Sequence, residues 1–101
     1  MKWLQYLPAH WQKNVAEYLT RPEAQYDQIS AADFINDLQI RFEDDSNAFF
    51  SYAFYLADDE AKEVAVFTEH CGYHVFPFAI ASLETLDKKG KILRSESFLI
   101  D

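Results

Sequence analysis

The stretch Ala48-Phe49-Phe50-Ser51-Tyr52-Ala53-Phe54-Tyr55-Leu56 carries the strongest β-strand pattern in the sequence. Aromatic residues recur through it, and such residues suit the pleated surface of a sheet. Successive side chains of a strand point to opposite faces. The alternation predicts one face formed by Ala48, Phe50, Tyr52, Phe54 and Leu56 and a second formed by Phe49, Ser51, Ala53 and Tyr55. Because both faces carry rings, we expect a central strand that is covered on both sides.

Polar turns bound this strand, and further strand patterns lie beyond them. Asp44-Asp45-Ser46-Asn47 precedes the strand and residues 58–62 follow it, both with the composition of turns. Additional strands are predicted at 39–43, 63–70, 73–78 and 91–94. Pro77 cannot donate to a sheet ladder, so strand 73–78 is expected to be an edge strand or to bulge at that residue.

The C-terminal part of the sequence leaves some alternatives open. Residues 79–86 fit a short helix, which Ser82-Leu83-Glu84-Thr85 would begin, and they also fit a strand. Asp87-Lys88-Lys89-Gly90 predicts a turn with glycine in its last position. Residues 95–101 either fray or add a further edge strand.

The N-terminal third has the pattern of helices. Trp11, Val15 and Leu19 recur at four-residue spacing, which predicts an amphipathic helix that ends before Arg21-Pro22. A second, short helix is predicted at Ser30–Leu38, where Ser30 is a suitable N-cap. The predicted fold class is therefore α+β, with two N-terminal helices packed on an antiparallel β-meander of four to six strands. Residues 1–101 are expected to form a single domain, because the chain is short and has no linker.

Composition and charge exclude several classes of protein. The chain has 101 residues, 17 acidic against nine basic side chains, and a formal net charge of −8. Nucleic acid is not an expected partner, because an acidic chain gains no counterion release on binding phosphates. The single cysteine rules out a scaffold stapled by intrachain disulfides. No segment reaches the roughly 20 apolar residues of a membrane helix, so we expect no membrane association and a cytoplasmic location.

The excess of acid is concentrated in one third of the chain. Residues 29–63 hold nine acidic and two basic side chains, a net charge of −7. Two acidic triplets, Glu43-Asp44-Asp45 and Asp58-Asp59-Glu60, flank the central strand at its opposite ends. A straight strand of nine residues would place them roughly 30 Å apart. One interpretation is that these are ordinary solvated turns, and the other is that they steer a basic partner.

The segment around the only cysteine combines cysteine, histidine and glutamate side chains, which can bind metal ions or take part in catalysis. In Thr68-Glu69-His70-Cys71-Gly72-Tyr73-His74, a tight turn at Cys71-Gly72 would pair His70 with Tyr73 and Glu69 with His74. His70 and His74 would then lie on opposite faces and could not share a metal ion. A cross-strand pair of Glu69 with His74 would raise the pKa of the imidazole.

The function expected from these patterns is protein binding. The sequence has no phosphate-binding glycine loop, nucleophile elbow or zinc-protease motif, and we assign no catalytic residue, cofactor or metal ligand. We expect a small, non-enzymatic acidic protein, of inhibitor or immunity type, that neutralises a basic partner protein. The candidate partner-binding residues are Glu43, Asp44, Asp45, Asp58, Asp59, Glu60, His70, Tyr73 and His74.

Two alternatives belong to different classes of protein. The first is a small metal-binding or thiol-dependent enzyme centred on the His70-Cys71-x-x-His74 turn. The second is a homo-oligomeric structural protein, for example a homodimer, whose exposed apolar sheet surface is covered by another copy of the chain.

Overall fold

A computed structural model of the chain describes residues 9–19, 36–68 and 72–100. This part contains one helix and six strands. Their bounds are α1 Ala9–Tyr18, β1 Asn36–Phe42, β2 Asn47–Asp58, β3 Glu63–Thr68, β4 Tyr73–Pro77, β5 Ala79–Leu86 and β6 Ile92–Leu99. None of the described helical residues form a segment with the length and hydropathy to cross a membrane.

The six strands form one antiparallel sheet in the order β4-β3-β2-β1-β5-β6. The first four strands follow the predicted meander. After β4, however, the order changes. Only Phe78 separates β4 from β5, and β5 pairs with the side of β1 that β2 leaves free. The sheet prediction is therefore confirmed, with six strands, and β4 is an edge strand as expected, ending at Pro77, one residue before the predicted end.

A bulge in β2 interrupts the alternation of its side chains. Residues after the bulge therefore face the opposite side of the sheet from the one that strict alternation predicts. Asn36 lies opposite Ala53 and Leu38 lies opposite Phe50, so β2 has one more residue than β1 across this interval. Tyr52 lies within the bulge and has a φ of 56°, which is rare for a bulky residue. The extra residue puts Phe50 and Ala53 on the same face, and the strict alternation expected through β2 is therefore wrong.

The bulge bends the sheet until strands that are not neighbours touch across its inner face. The ring of Phe42 in β1 lies 5.3 Å from that of Phe76 in β4. Tyr55 in β2 lies 6.3 Å from Phe98 in β6. Since these strands are separated in the sheet order, such contacts require strong curvature. The second half of β2 is covered on both sides, whereas Phe49 in the first half is 53% exposed.

Helix α1 packs on the outer face of β2 and β3. Its predicted stripe is confirmed, because Trp11 and Val15 are fully buried. The indole of Trp11 stacks on Phe54 at 6.2 Å, and its Nε1 donates to the Thr68 carbonyl at 3.1 Å. The core of the described residues consists of Trp11, Val15, Leu38, Ile40, Ala53, Phe54, Tyr55, Leu56, Ala57, Val64, Ala65, Val66, Phe67, Phe78, Ile80, Leu83 and Phe98.

The second predicted helix is wrong where the structure describes it. Residues 30–35 lie outside the described ranges, but 36–38 belong to β1, so the helix expected at Ser30–Leu38 does not reach its predicted end, and the described part of the chain contains one N-terminal helix, not two. Leu38 continues the two-residue spacing of Ile40 and Phe42 backwards, and this spacing favours a strand.

Residues 79–86 form strand β5 and not a helix. The register of β5 shifts between Ile80 and Leu83 against both β1 and β6, so an extra residue separates these two buried side chains. A bulge therefore produces the three-residue spacing that resembled a helical turn. Strand β6 is longer than expected and continues to Leu99 at the other edge of the sheet.

Candidate functional site

The two acidic turns lie close together at one corner of the sheet. Glu43 N donates to the Ala79 carbonyl at 3.0 Å, and Phe78 N donates to the Lys62 carbonyl at 2.9 Å. Because Phe78 and Ala79 are consecutive, backbone geometry places Glu43 N within about 13 Å of Lys62 O. The predicted separation of roughly 30 Å is wrong, since the bend in β2 turns its two ends towards each other. We call Glu43, Asp44, Asp45, Asp58, Asp59 and Glu60 the acidic corner.

The turn between β1 and β2 presents three exposed carboxylates. Asp44 Oδ1 accepts hydrogen bonds from the backbone and the hydroxyl of Ser46. These bonds, chiefly that from the hydroxyl, hold the pKa of Asp44 below its ordinary value. Its charge therefore persists to lower pH than that of an ordinary aspartate. Asp45 adopts a φ of 70°, which aspartate tolerates better than most residues.

The three acidic residues of the turn between β2 and β3 have different roles. Asp58 is 3% exposed, and its Oδ1 accepts hydrogen bonds from Glu60 N at 3.1 Å and Ala61 N at 3.0 Å. Asp58 therefore shapes the turn from within, whereas Asp59 and Glu60 are exposed. The ammonium of Lys62 lies 5.7 Å from the centre of the Phe78 ring, so the one cation of this turn packs against the corner.

Tyr73 and His74 lie at the other end of β4 from the acidic corner. Pro77, opposite Glu63, is the residue of β4 that approaches the corner. Tyr73 is half-buried and packs against Phe67 at 5.3 Å, and His74 is exposed beside Phe50 at 5.4 Å. The structure therefore does not bring these two predicted residues together with the acids. His70 lies outside the described residues.

The expected hairpin register between β3 and β4 is wrong. His74 lies opposite Val66 and not opposite Glu69, and Tyr73 lies opposite Phe67. Thr68 N and Oγ1 both donate to the Gly72 carbonyl, so three residues separate the two ends of the hairpin. Gly72 has a φ of 71°, a conformation that glycine adopts without strain. Across the described ranges, no three His, Cys, Asp or Glu side chains are grouped to hold a metal ion.

A polar cluster that the sequence patterns did not indicate lies on the inner face of the sheet. The hydroxyl of Tyr55 donates to Glu96 Oε2, and Arg94 Nε lies 3.8 Å from the same oxygen. The side chains of Arg94 and Glu96 are each 34% exposed. The signal was their spacing of two residues, which puts both on one face of a strand. It was missed because the predicted strand ended at Arg94.

Thr85 lies opposite Arg94 beside this cluster and has an unsatisfied hydroxyl. The residue is 2% exposed, and burial of a hydroxyl without a hydrogen bond destabilises the folded state. We expect Thr85→Val to raise the free energy of unfolding by about 1 kcal/mol, because valine has the same shape and no polar group. Urea denaturation followed by circular dichroism measures this change.

Thr68→Val is the matched control for this substitution. The Thr68 hydroxyl donates to the Gly72 carbonyl at 3.3 Å, so its removal is expected to lower the free energy of unfolding. If the two valine variants are destabilised alike, the Thr85 hydroxyl has a partner and the interpretation above is incorrect.

No protein-family model, curated protein or solved structure matches this chain. Function is therefore inferred from the acidic corner and the Tyr55 cluster alone. Of these two, the acidic corner offers the larger set of exposed charges, and the Tyr55 cluster has its carboxylate already engaged by the tyrosine hydroxyl and near the guanidinium.

Proposed function

We propose that this chain is a non-enzymatic binding protein, of inhibitor or immunity type, that engages a basic partner protein through the acidic corner. The observation that supports this proposal is the pair of hydrogen bonds that attach Glu43 to Ala79 and Lys62 to the preceding residue, Phe78. Through these bonds, two acidic turns that are distant along β2 act as one charged surface. A partner then needs a basic patch of ordinary size, and not one that spans the sheet.

The charges of the acidic corner are suited to attracting a cation in water. Five of its six acids are exposed, and the sixth, Asp58, holds the second turn in shape. Concentrated charge of one sign accelerates encounter with an oppositely charged protein and favours correct orientation. Solvated carboxylates are poor general acids, which supports binding in preference to catalysis.

The same composition supports the rest of the proposal. A net charge of −8 opposes binding to nucleic acid. We also propose a cytoplasmic location, because the only cysteine, Cys71, has no second cysteine in the chain with which to form a disulfide.

The test compares two double variants that remove the same charge. Glu43→Gln with Glu60→Gln removes two exposed carboxylates of the acidic corner. Both side chains are exposed. We expect this variant to bind a decalysine peptide roughly fivefold more weakly than the unmodified chain in low salt. The same loss is expected with a folded basic protein about as large as this chain. Isothermal titration calorimetry at two ionic strengths measures the loss and its screening.

The control is Asp37→Asn with Glu84→Gln, which also removes two negative charges. Both residues lie on the β1–β5 part of the sheet, away from the corner. The amide of asparagine can still accept the hydrogen bond that Asp37 Oδ1 accepts from Tyr52 N. If the control weakens binding as much as the corner variant does, net charge and not the corner is responsible, and the proposal fails.

A further inference from the structure

Strand β6 presents an exposed apolar edge that the proposed binding function does not use. No described strand pairs with its outer side, since β6 is the last strand in the sheet order. Four of the seven large exposed hydrophobic residues in the described ranges lie on it or directly after it. They are Ile92 at 51%, Leu93 at 49%, Leu99 at 44% and Ile100 at 63% exposure. An exposed edge of this kind is a template for pairing with another strand.

We propose that the occupant of this edge is β6 of a second copy of the chain, paired antiparallel about a two-fold axis at Ser95. In this arrangement Ser95 faces Ser95 of the second copy, and each Arg94 faces a Glu96. Both side chains lie on one face of the sheet, where they already form an ion pair within one chain. Pairing two copies extends this into an alternating row of four charges, and opposite charges across a strand pair stabilise it.

Charge selects this register over its neighbours. A shift of the axis to Arg94 sets two guanidinium groups opposite each other, and a shift to Glu96 sets two carboxylates opposite each other. Like charges directly opposite are destabilising. Only the register centred on Ser95 faces each Arg94 with a Glu96, and a two-fold axis produces that contact twice.

The same register accounts for two of the four exposed apolar residues, Leu93 and Leu99. Between Ile92 and Arg94, β6 has one residue more than β5, so Leu93 lies in a bulge two residues from the axis, on the side of the second copy's Ser97 and Leu99. Diagonal neighbours across a strand pair are about 7–8 Å apart, within reach of long side chains. The dimer thus covers Leu93 and Leu99, which are 49% and 44% exposed in a single copy.

A cysteine crosslink tests both the dimer and its register. In a Cys71→Ser background, Ser95→Cys introduces a thiol on the axis, at a Cα separation of about 4.5–5.5 Å from its copy, which a disulfide can bridge. We expect mild oxidation to give a covalent dimer of twice 11.8 kDa on a non-reducing gel. The matched control is Ser97→Cys in the same background, which is also exposed but places the two thiols about 13 Å apart along the strands.

The expected result is crosslinking of the Ser95→Cys variant at least about tenfold faster than of the Ser97→Cys variant. Equal rates, or a faster reaction at position 97, would overturn the register. Sedimentation equilibrium of the unmodified chain provides the second measurement. We expect Leu93→Lys to reduce association, whereas Val75→Lys on the opposite edge strand leaves it unchanged. A wild-type chain that stays monomeric at high micromolar concentration would overturn the dimer itself, with no consequence for the acidic corner.

Discussion

Replacement of Trp11 by alanine is expected to lower the free energy of unfolding by about 3–5 kcal/mol, because it removes the largest buried side chain of α1. The indole is fully buried and stacks on Phe54 at 6.2 Å, with Tyr52 at 6.0 Å on another side. Its Nε1 also donates to the Thr68 carbonyl at 3.1 Å. Alanine would leave a cavity over the sheet and remove the donor from that carbonyl.

The loss is large in proportion to the total stability. Natural proteins are stable by about 5–15 kcal/mol, so this substitution removes a substantial fraction of that margin. Helix α1 has ten residues and could not persist without contacts to the sheet. When Trp11 is lost, Val15 and Tyr18 still pack α1 against the core, and Phe54 becomes more accessible to water.

Urea denaturation measured by circular dichroism tests this expectation. Lys13→Ala is the matched control, because Lys13 is an exposed residue of the same helix and its replacement is expected to change stability by less than about 0.5 kcal/mol. Trp11→Phe separates the two contributions, since it keeps an aromatic ring and removes the Nε1 donor. A cost below about 1 kcal/mol for the alanine variant would show that α1 contributes little to stability.

Local periodicity was sufficient to predict most elements of the fold. The four-residue spacing of Trp11 and Val15 predicted α1, and the two-residue spacing of Ile40 and Phe42 predicted β1. The turn composition of 44–47 and 87–90 located the connections on either side of the strands. Each of these features depends only on neighbouring residues, so a single sequence contains enough information to identify it.

The bulges could not be predicted in this way, because nothing in the local sequence marks them. Tyr52 adopts a φ of 56° without being glycine, asparagine or aspartate, the residues that usually indicate such a conformation. The tertiary packing of Phe50 towards β4 and of Phe54 towards α1 determines that conformation. The prediction assumed a straight strand and therefore placed the two acidic turns far apart. In the structure β2 bends, and the two turns lie at one corner of the sheet.

The Tyr55 cluster was missed for a related reason. Tyr55 and Glu96 are 41 residues apart in sequence, and they meet only because the curved sheet brings β6 over β2. Their pairing therefore depends on the strand order, which local patterns do not contain. The acids of the corner, in contrast, were selected as candidates from composition alone; the structure brings their two turns together and buries Asp58 within its own turn.

Replacement of Phe78 by alanine is expected to cost about 3–5 kcal/mol and to loosen the acidic corner as well. Phe78 is the single residue between β4 and β5, and its ring is buried against Phe98 at 5.4 Å. Its backbone N donates to the Lys62 carbonyl, which fastens the second acidic turn. Loss of the ring therefore removes core packing at the point where both acidic turns are attached.

Two measurements separate the stability of the protein from the geometry of the corner. Urea denaturation gives the overall cost, and Phe49→Ala is the control, because Phe49 is 53% exposed and its truncation should cost less than about 1 kcal/mol. Hydrogen exchange of the Glu43 and Phe78 amides reports on the bonds that join the turns to the corner. Under conditions in which the variant remains folded, these two amides should lose more protection than the Leu38 and Ile40 amides in the middle of β1. Uniform loss of protection at all four amides would contradict a local role for Phe78, because it would reflect only global unfolding.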